Sequence, residues 1–132
     1  MRITTDTNIL IRALADDEAI QSPVARDVME RAELVALTLP ALCEFVWVMS
    51  RGYKEPADRI AAALRTLLES GNAEADTAAV EAGLRFLDEG GDFADGVIAH
   101  EGRRLGGEMF VSFDRDAVRR AMQQGKAAQV PG

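Results

Sequence analysis

Apolar positions along the chain switch repeatedly between the two-residue period of strands and the 3.6-residue period of helices. "MRITTD" predicts a short strand with Ile3 inside, and "TNILIRALADD" a helix opening just after Asp6, with Ile9, Leu10, Ala13 and Leu14 at helical spacing. "SPVARDVMERA" predicts a second helix, with Ser22 as its N-cap and Pro23 in the first position. "ELVAL" predicts a strand. "LPALCEFVWVMSRG" predicts a helix with Pro40 in its first turn and Gly52 past its end. "EPADRIAAALRTLLESG" is another, with Pro56 early and Gly71 as its stop. A short strand at "AEA" precedes the helix "DTAAVEAGLRFLDEGG", and "DFADGVIAHEGRRLGG" predicts a helix from Asp92 to Gly106–Gly107. "EMFVSF" reads as a strand, "DRDAVRRAM" as a short helix and "AAQVPG" as a final edge strand. Strands alternating with helices imply a parallel α/β sheet with helices on both faces. No repeat, low-complexity tract or linker interrupts the pattern, so one domain over residues 1–132 is expected.

Composition narrows the class. Hydrophobic residues make up 48% and charged residues 28%, the mix of a soluble globular protein. No apolar run approaches the roughly 20 residues that span a bilayer, so no membrane association is expected. Asp6 interrupts the N-terminal apolar stretch, which argues against a signal peptide. One cysteine, Cys43, cannot form an internal disulfide; it fits a reducing compartment such as the cytoplasm and reads as a small core residue. His100 is the only histidine, which excludes a histidine-based metal cluster. The net charge of −7 argues against nucleic acid only if the charges are evenly spread. They are not: 13 of the 15 basic residues are Arg, the better phosphate partner, and five of these lie in "GRRL" and "RDAVRR".

The acids carry the chemistry. In open parallel sheets, ligands bind beyond the carboxyl ends of the strands. Asp6 and Asp114 both follow strands, and are expected to reach one edge of the sheet. Glu44 interrupts an apolar helix, where an unpaired buried carboxylate would cost several kcal/mol unless neutralised. "DFAD" puts Asp92 and Asp95 on one face of a helix start. Each has a plainer reading: Asp6, Asp92 and Asp114 as helix caps, Glu44 on a solvent-facing edge, Asp95 complementing the helix dipole. Taken jointly, converging carboxylates repel, and Mg²⁺ or Mn²⁺ turns that repulsion into oxygen coordination. The reaction class this favours is metal-assisted phosphodiester hydrolysis.

The blocks "DTNIL", "LCEFVWVM", "DFADGVIAH" and "SFDRD", in that order and over nearly the whole chain, resemble the PIN-domain ribonucleases, and among them the VapC toxins of bacterial toxin–antitoxin pairs. The resemblance implies a three-layer α/β/α sandwich around a short, mainly parallel sheet, and Mg²⁺- or Mn²⁺-dependent endonuclease activity on RNA. It implies Asp6, Glu44, Asp95 and Asp114 as catalytic acids and metal ligands, Asp6 and Asp95 holding the main ion, with Asp92 as a further ligand. Asn8 and Ser112 match polar positions that orient the acids. Arg12, Arg115, Arg103 and Arg104 are candidates for guiding RNA, with Arg119 and Arg120 behind them. The family implies a homodimer and a cognate antitoxin; "FVWVM" and "IAAALRTLL" offer apolar surface for these, although core is the simpler assignment. Gly96 departs from the Ala of many relatives.

Rival classes fare worse. A haloacid-dehalogenase-like site needs Asp-x-Asp after the first strand, but Thr7 and Asn8 follow Asp6. A phosphoryl-transfer receiver needs a Lys after a late strand, and neither Lys54 nor Lys126 is so placed. The remaining alternative is a catalytically inactive PIN module that binds RNA or a partner protein.

Overall fold

A computed structural model describes residues 1–132. The chain divides into two compact units, Met1–Asp76 and Thr77–Gly132.

The first unit begins with β1 (Arg2–Thr4), followed by α1 (Thr7–Ala15) and α2 (Gln21–Arg31), then β2 (Leu34–Ala36), α3 (Leu39–Arg51), α4 (Ala57–Leu68) and β3 (Ala73–Glu74). The strands pair in the order β1-β2-β3, all parallel, with Ile3 opposite Val35 and Val35 opposite Ala73. Parallel neighbours need long crossovers, and each is a helix pair. The core takes one stripe from each helix: Leu10 and Ile11, Ala25 and Met29, Leu42, Phe45 and Val46, Ile60 and Leu64. The apolar runs of α3 and α4 are therefore mostly core; Trp47 is the exception, 59% exposed. Asn72 locks the sheet from outside the strands, its Nδ2 donating to Met29 O at 2.8 Å and Ala32 O at 3.0 Å.

Two local expectations change here. Ser22 is not an N-cap: α2 has already begun, and Ser22 is buried. Glu18 does the capping instead, its carboxylate accepting from the backbone N–H groups of Ile20 and Gln21, while Ser22 Oγ accepts from Glu18 N–H at 3.3 Å. This reciprocal pair is a capping box shifted upstream. Cys43 is half-buried and lies at the edge of the core.

The second unit contains α5 (Thr77–Asp88), α6 (Phe93–Arg104), β4 (Phe110–Val111), α7 (Arg115–Gln123) and β5 (Ala128–Gln129). β4 pairs in parallel with β5, Phe110 opposite Ala128, as a separate two-stranded sheet. β1 and β4 thus belong to different sheets, whereas one sheet edge was expected for Asp6 and Asp114. The expected strand over "EMFVSF" shrinks to two residues because its only partner, β5, is that short. α5 and α6 pack through glycines. A Cβ on Gly96 would lie 2.4 Å from Ala82 O and 2.8 Å from Gly83 Cα; one on Gly83 would meet the buried Phe93 ring at 2.7 Å. Gly96 is a packing requirement, which explains its departure from Ala. No helix is long and apolar enough to cross a membrane.

Two stability changes follow. Helix propensity alone makes Gly96→Ala stabilising by about 1 kcal/mol. The contact reverses the sign: overpacking should lower stability by about 1–3 kcal/mol, read as a lower urea midpoint. Glu18→Ala should cost about 1 kcal/mol, the usual loss with a helix cap, seen as a reduced melting temperature.

Candidate active site

In the first unit, the chain leaves β1 and enters α1 through two residues. Thr5 turns inward, 3% exposed, and its buried hydroxyl has no hydrogen-bond partner. Asp6 is exposed and caps α1, Oδ1 accepting from Ile9 N–H at 3.0 Å. Thr7 Oγ1 donates to Glu44 Oε2 at 3.1 Å and so ties the start of α1 to α3. Thr7 is an orienting residue that pattern reading passed over. Asn8 is exposed and its side chain makes no hydrogen bond, so it orients neither acid. Glu44 is exposed as well. The expectation of a buried carboxylate fails because α3 turns Leu42, Phe45, Val46 and Met49 inward and leaves Glu44 on the outer face.

Arg12 is occupied. Its Nε donates to Gln21 Oε1 at 2.9 Å, and its Nη1 to Asp17 Oδ1 and Tyr53 Oη, both at 3.3 Å. Tyr53 in turn donates to Asp17, and that hydrogen bond is the main reason Asp17 is held below the ordinary carboxylate range. These contacts clasp the α1–α2 turn to the end of α3. Beside the clasp runs a groove of about 430 Å³ between α1 and α2, with Asp6 and Asn8 on its lining.

In the second unit, three acids gather at helix starts. Asp92 caps α6, Oδ1 accepting from Ala94 N–H at 2.9 Å. Asp114 caps α7, Oδ1 accepting from Asp116 N–H at 3.0 Å and Ala117 N–H at 3.1 Å. Ser112 Oγ accepts from Asp114 N–H at 3.0 Å and fixes the turn that presents it. Asp95 is half-buried in the first turn of α6. Its carboxyl is pushed above the ordinary Asp range, first by burial, then by the charges of Asp92 and Asp114. The cap readings for Asp6, Asp92 and Asp114 are thus correct as far as they go. Each cap bond uses Oδ1, so Oδ2 remains available to a ligand.

The arginines sort themselves by partner. Arg104 pairs with Glu101 at 2.6 Å and Arg119 with Asp116 at 2.8 Å. Arg120 donates to Glu89 O and lies over Gly91, where a Cβ would be 2.6 Å from its Cδ. Arg103 and Arg115 are exposed and form no ion pair.

No three carboxylate, imidazole or thiol groups are close enough, as they stand, to hold a metal ion. The donor chemistry nevertheless suits a hard divalent cation. All the candidates are carboxylate oxygens, and the raised Asp95 carboxyl marks a place where negative charge is crowded and lacks a counter-charge.

A search of curated proteins finds no match to the chain. The model of one family, the PIN domain, matches residues 3–122, from β1 into α7 and across both units. PIN domains are in general nucleases and in general use divalent metal ions. Seven helices with short parallel sheets are in keeping with the α/β/α fold of that family. With all but its extreme ends matched, the chain belongs to the PIN-domain family.

Proposed function

We propose that this PIN domain is a Mg²⁺- or Mn²⁺-dependent endoribonuclease of the VapC kind, the toxin of a toxin–antitoxin pair acting in the cytoplasm. The observation that carries the nuclease reading is the state of Asp95. Its carboxyl group is half-buried beside Asp92 and Asp114, and a divalent cation would offset the negative charge crowded there.

In this reading Asp6, Glu44, Asp95 and Asp114 are the catalytic acids and Asp92 is a further ligand. A divalent ion, when bound, supplies Lewis acidity and lowers the pKa of water toward neutrality. The chain's residues do the positioning. The cap bonds of Asp6, Asp92 and Asp114 fix one oxygen of each carboxylate and so aim the other. Thr7 restrains Glu44. Asp95, half-buried in the first turn of α6, would offer its carboxylate to the ion. Arg115, unpaired and next to Asp114, is positioned to meet phosphate charge. An antitoxin segment with an apolar face suits the α1–α2 groove, where Ile20, Val24 and Val28 are exposed at four-residue spacing. A homodimer belongs to the same reading.

The test combines activity with stability. Asp6→Asn and Asp95→Asn should each abolish Mg²⁺-dependent RNA cleavage. Without metal, native Asp95 binds its proton more tightly than the unfolded chain does. Between the ordinary pKa of 3.8 and the raised native value, the native state therefore holds more protons, and stability falls as pH rises. Asp95→Asn should raise the melting temperature at pH 7 in EDTA and flatten its decline from pH 4 to 7. Mg²⁺ should raise the melting temperature of the wild type but not of this variant. RNA cleavage that survives both substitutions would refute the assignment. Absence of both cleavage and a Mg²⁺-dependent melting shift in the wild type would favour an inactive module that only binds RNA or a partner.

A further inference from the structure

Around β4 the second unit exposes a row of large apolar side chains. Val111 within β4, and Met109 and Phe113 in the bends on either side of it, are 54%, 47% and 82% exposed. The intervening Phe110 and Ser112 are half-buried. A row of this kind on an exposed strand is costly to leave open unless something covers it. Beside it lies a groove of about 340 Å³, whose lining includes Ile98, Met109 and Val111 and two cations, Arg103 and Lys126.

Those cations suggest what covers the row. Neither forms an ion pair, in a chain whose net charge is −7. Lys126 is made less basic by burial, then by the charges of Arg85 and Arg103. Glu108 shares the lining, which leaves two cations to one carboxylate there. The groove therefore carries net positive charge next to apolar surface, which suits a ligand with both anionic and flat apolar parts. The row also leads somewhere: Phe113 immediately precedes Asp114. On the opposite flank, α6 carries Asp95 at its start and Arg103 eight residues later, about 12 Å along the helix axis.

We propose that this strip binds the unpaired RNA segment next to the bond to be cut, a base stacking on Phe113 and backbone phosphates meeting Arg103 and Lys126. Sequence-tolerant binding of single strands combines these two elements, cations for the backbone and aromatic faces for the bases. The proposal rests on the nuclease reading above and adds to it the residues that seat the substrate. Phe113 and Lys126 are positioning residues outside the acid cluster.

The experiment uses a fluorescein-labelled six-nucleotide single-stranded RNA. Its binding is followed by anisotropy in EDTA, and its cleavage by steady-state kinetics in Mg²⁺. Phe113→Ala should weaken binding about 5- to 100-fold, the range for losing one base stack. It should raise KM by a similar factor and leave kcat within about twofold, and Phe113→Trp should restore both KM and Kd. Lys126→Ala should reduce the slope of log affinity against log salt by roughly one contact. Phe113 is exposed and Lys126 half-buried, and unchanged melting curves will confirm folding. Cleavage with unaltered KM and salt slope in Phe113→Ala and Lys126→Ala would overturn this proposal and leave the nuclease reading standing. So would a change in oligomeric mass, by light scattering, with RNA affinity unchanged, since the strip would then be a protein interface. A wild-type protein that neither binds nor cuts the RNA would overturn both readings.

Discussion

A carboxylate at the first turn of a helix can be fixed by that helix and still serve a ligand. The exposed N–H groups of the turn need an acceptor, and the partial positive charge there favours an anion. Asp6, Asp92 and Asp114 all meet this need through Oδ1. The helix thus supplies orientation without burying the group, and the second oxygen projects from a rigid base. Asp95 is arranged differently. It takes no cap bond, sits deeper, and feels two of the capping aspartates as like charges. In the second unit, two carboxylates held in place by cap bonds thus stand beside a third that is half-buried among them.

The same dual use explains which parts of the site could be read from residues alone. Asp6, Asp92 and Asp114 stood out because a change of hydrophobic period marks both a helix start and a functional edge. The cap reading holds for all three, and it does not exclude a ligand role, since each carboxylate has a second oxygen. The burial expected of Glu44 failed because its neighbours in sequence are apolar. Apolar flanks do not say which side of a helix a residue faces, and the 3.6-residue geometry of α3 puts Glu44 outside while Phe45 and Val46 go in. Ser22 was misassigned for a comparable reason: Glu18, four residues earlier, reaches the orphan N–H groups first. Thr7 gave no periodic signal, because its contact to Glu44 spans 37 residues of sequence.

Arginine was the least legible residue type. A guanidinium belongs to a substrate path only if nothing in the protein occupies it, and partners come from tertiary structure. Arg12 is held by Asp17, five residues on, and by Tyr53, 41 residues away in sequence. Arg104 and Arg119 are neutralised within their own helices, and Arg120 is committed to the end of α5. The net charge of −7 conceals this sorting. Among the cations without an ion pair, Arg103 and Lys126 line one groove and form a local positive region that whole-chain charge does not suggest.

The position of Asp95 is finally a consequence of backbone packing. Gly96 follows it directly, and Gly96 lets α6 approach the carbonyl of Ala82 more closely than any side chain would allow. Phe93, fully buried and two residues earlier, fills the space over Gly83. Residues 93 and 96 together pull the first turn of α6 against α5, and Asp95 between them is drawn partway in. The burial that raises its pKa is thus imposed by apolar contacts on either side. A bulkier residue at 96 would push the turn outward and relieve the desolvation of Asp95 in the same step. The tight glycine contact and the electrostatic tension at Asp95 are one structural feature, and the stability of the α5–α6 pair offsets the cost of keeping an uncompensated carboxylate there.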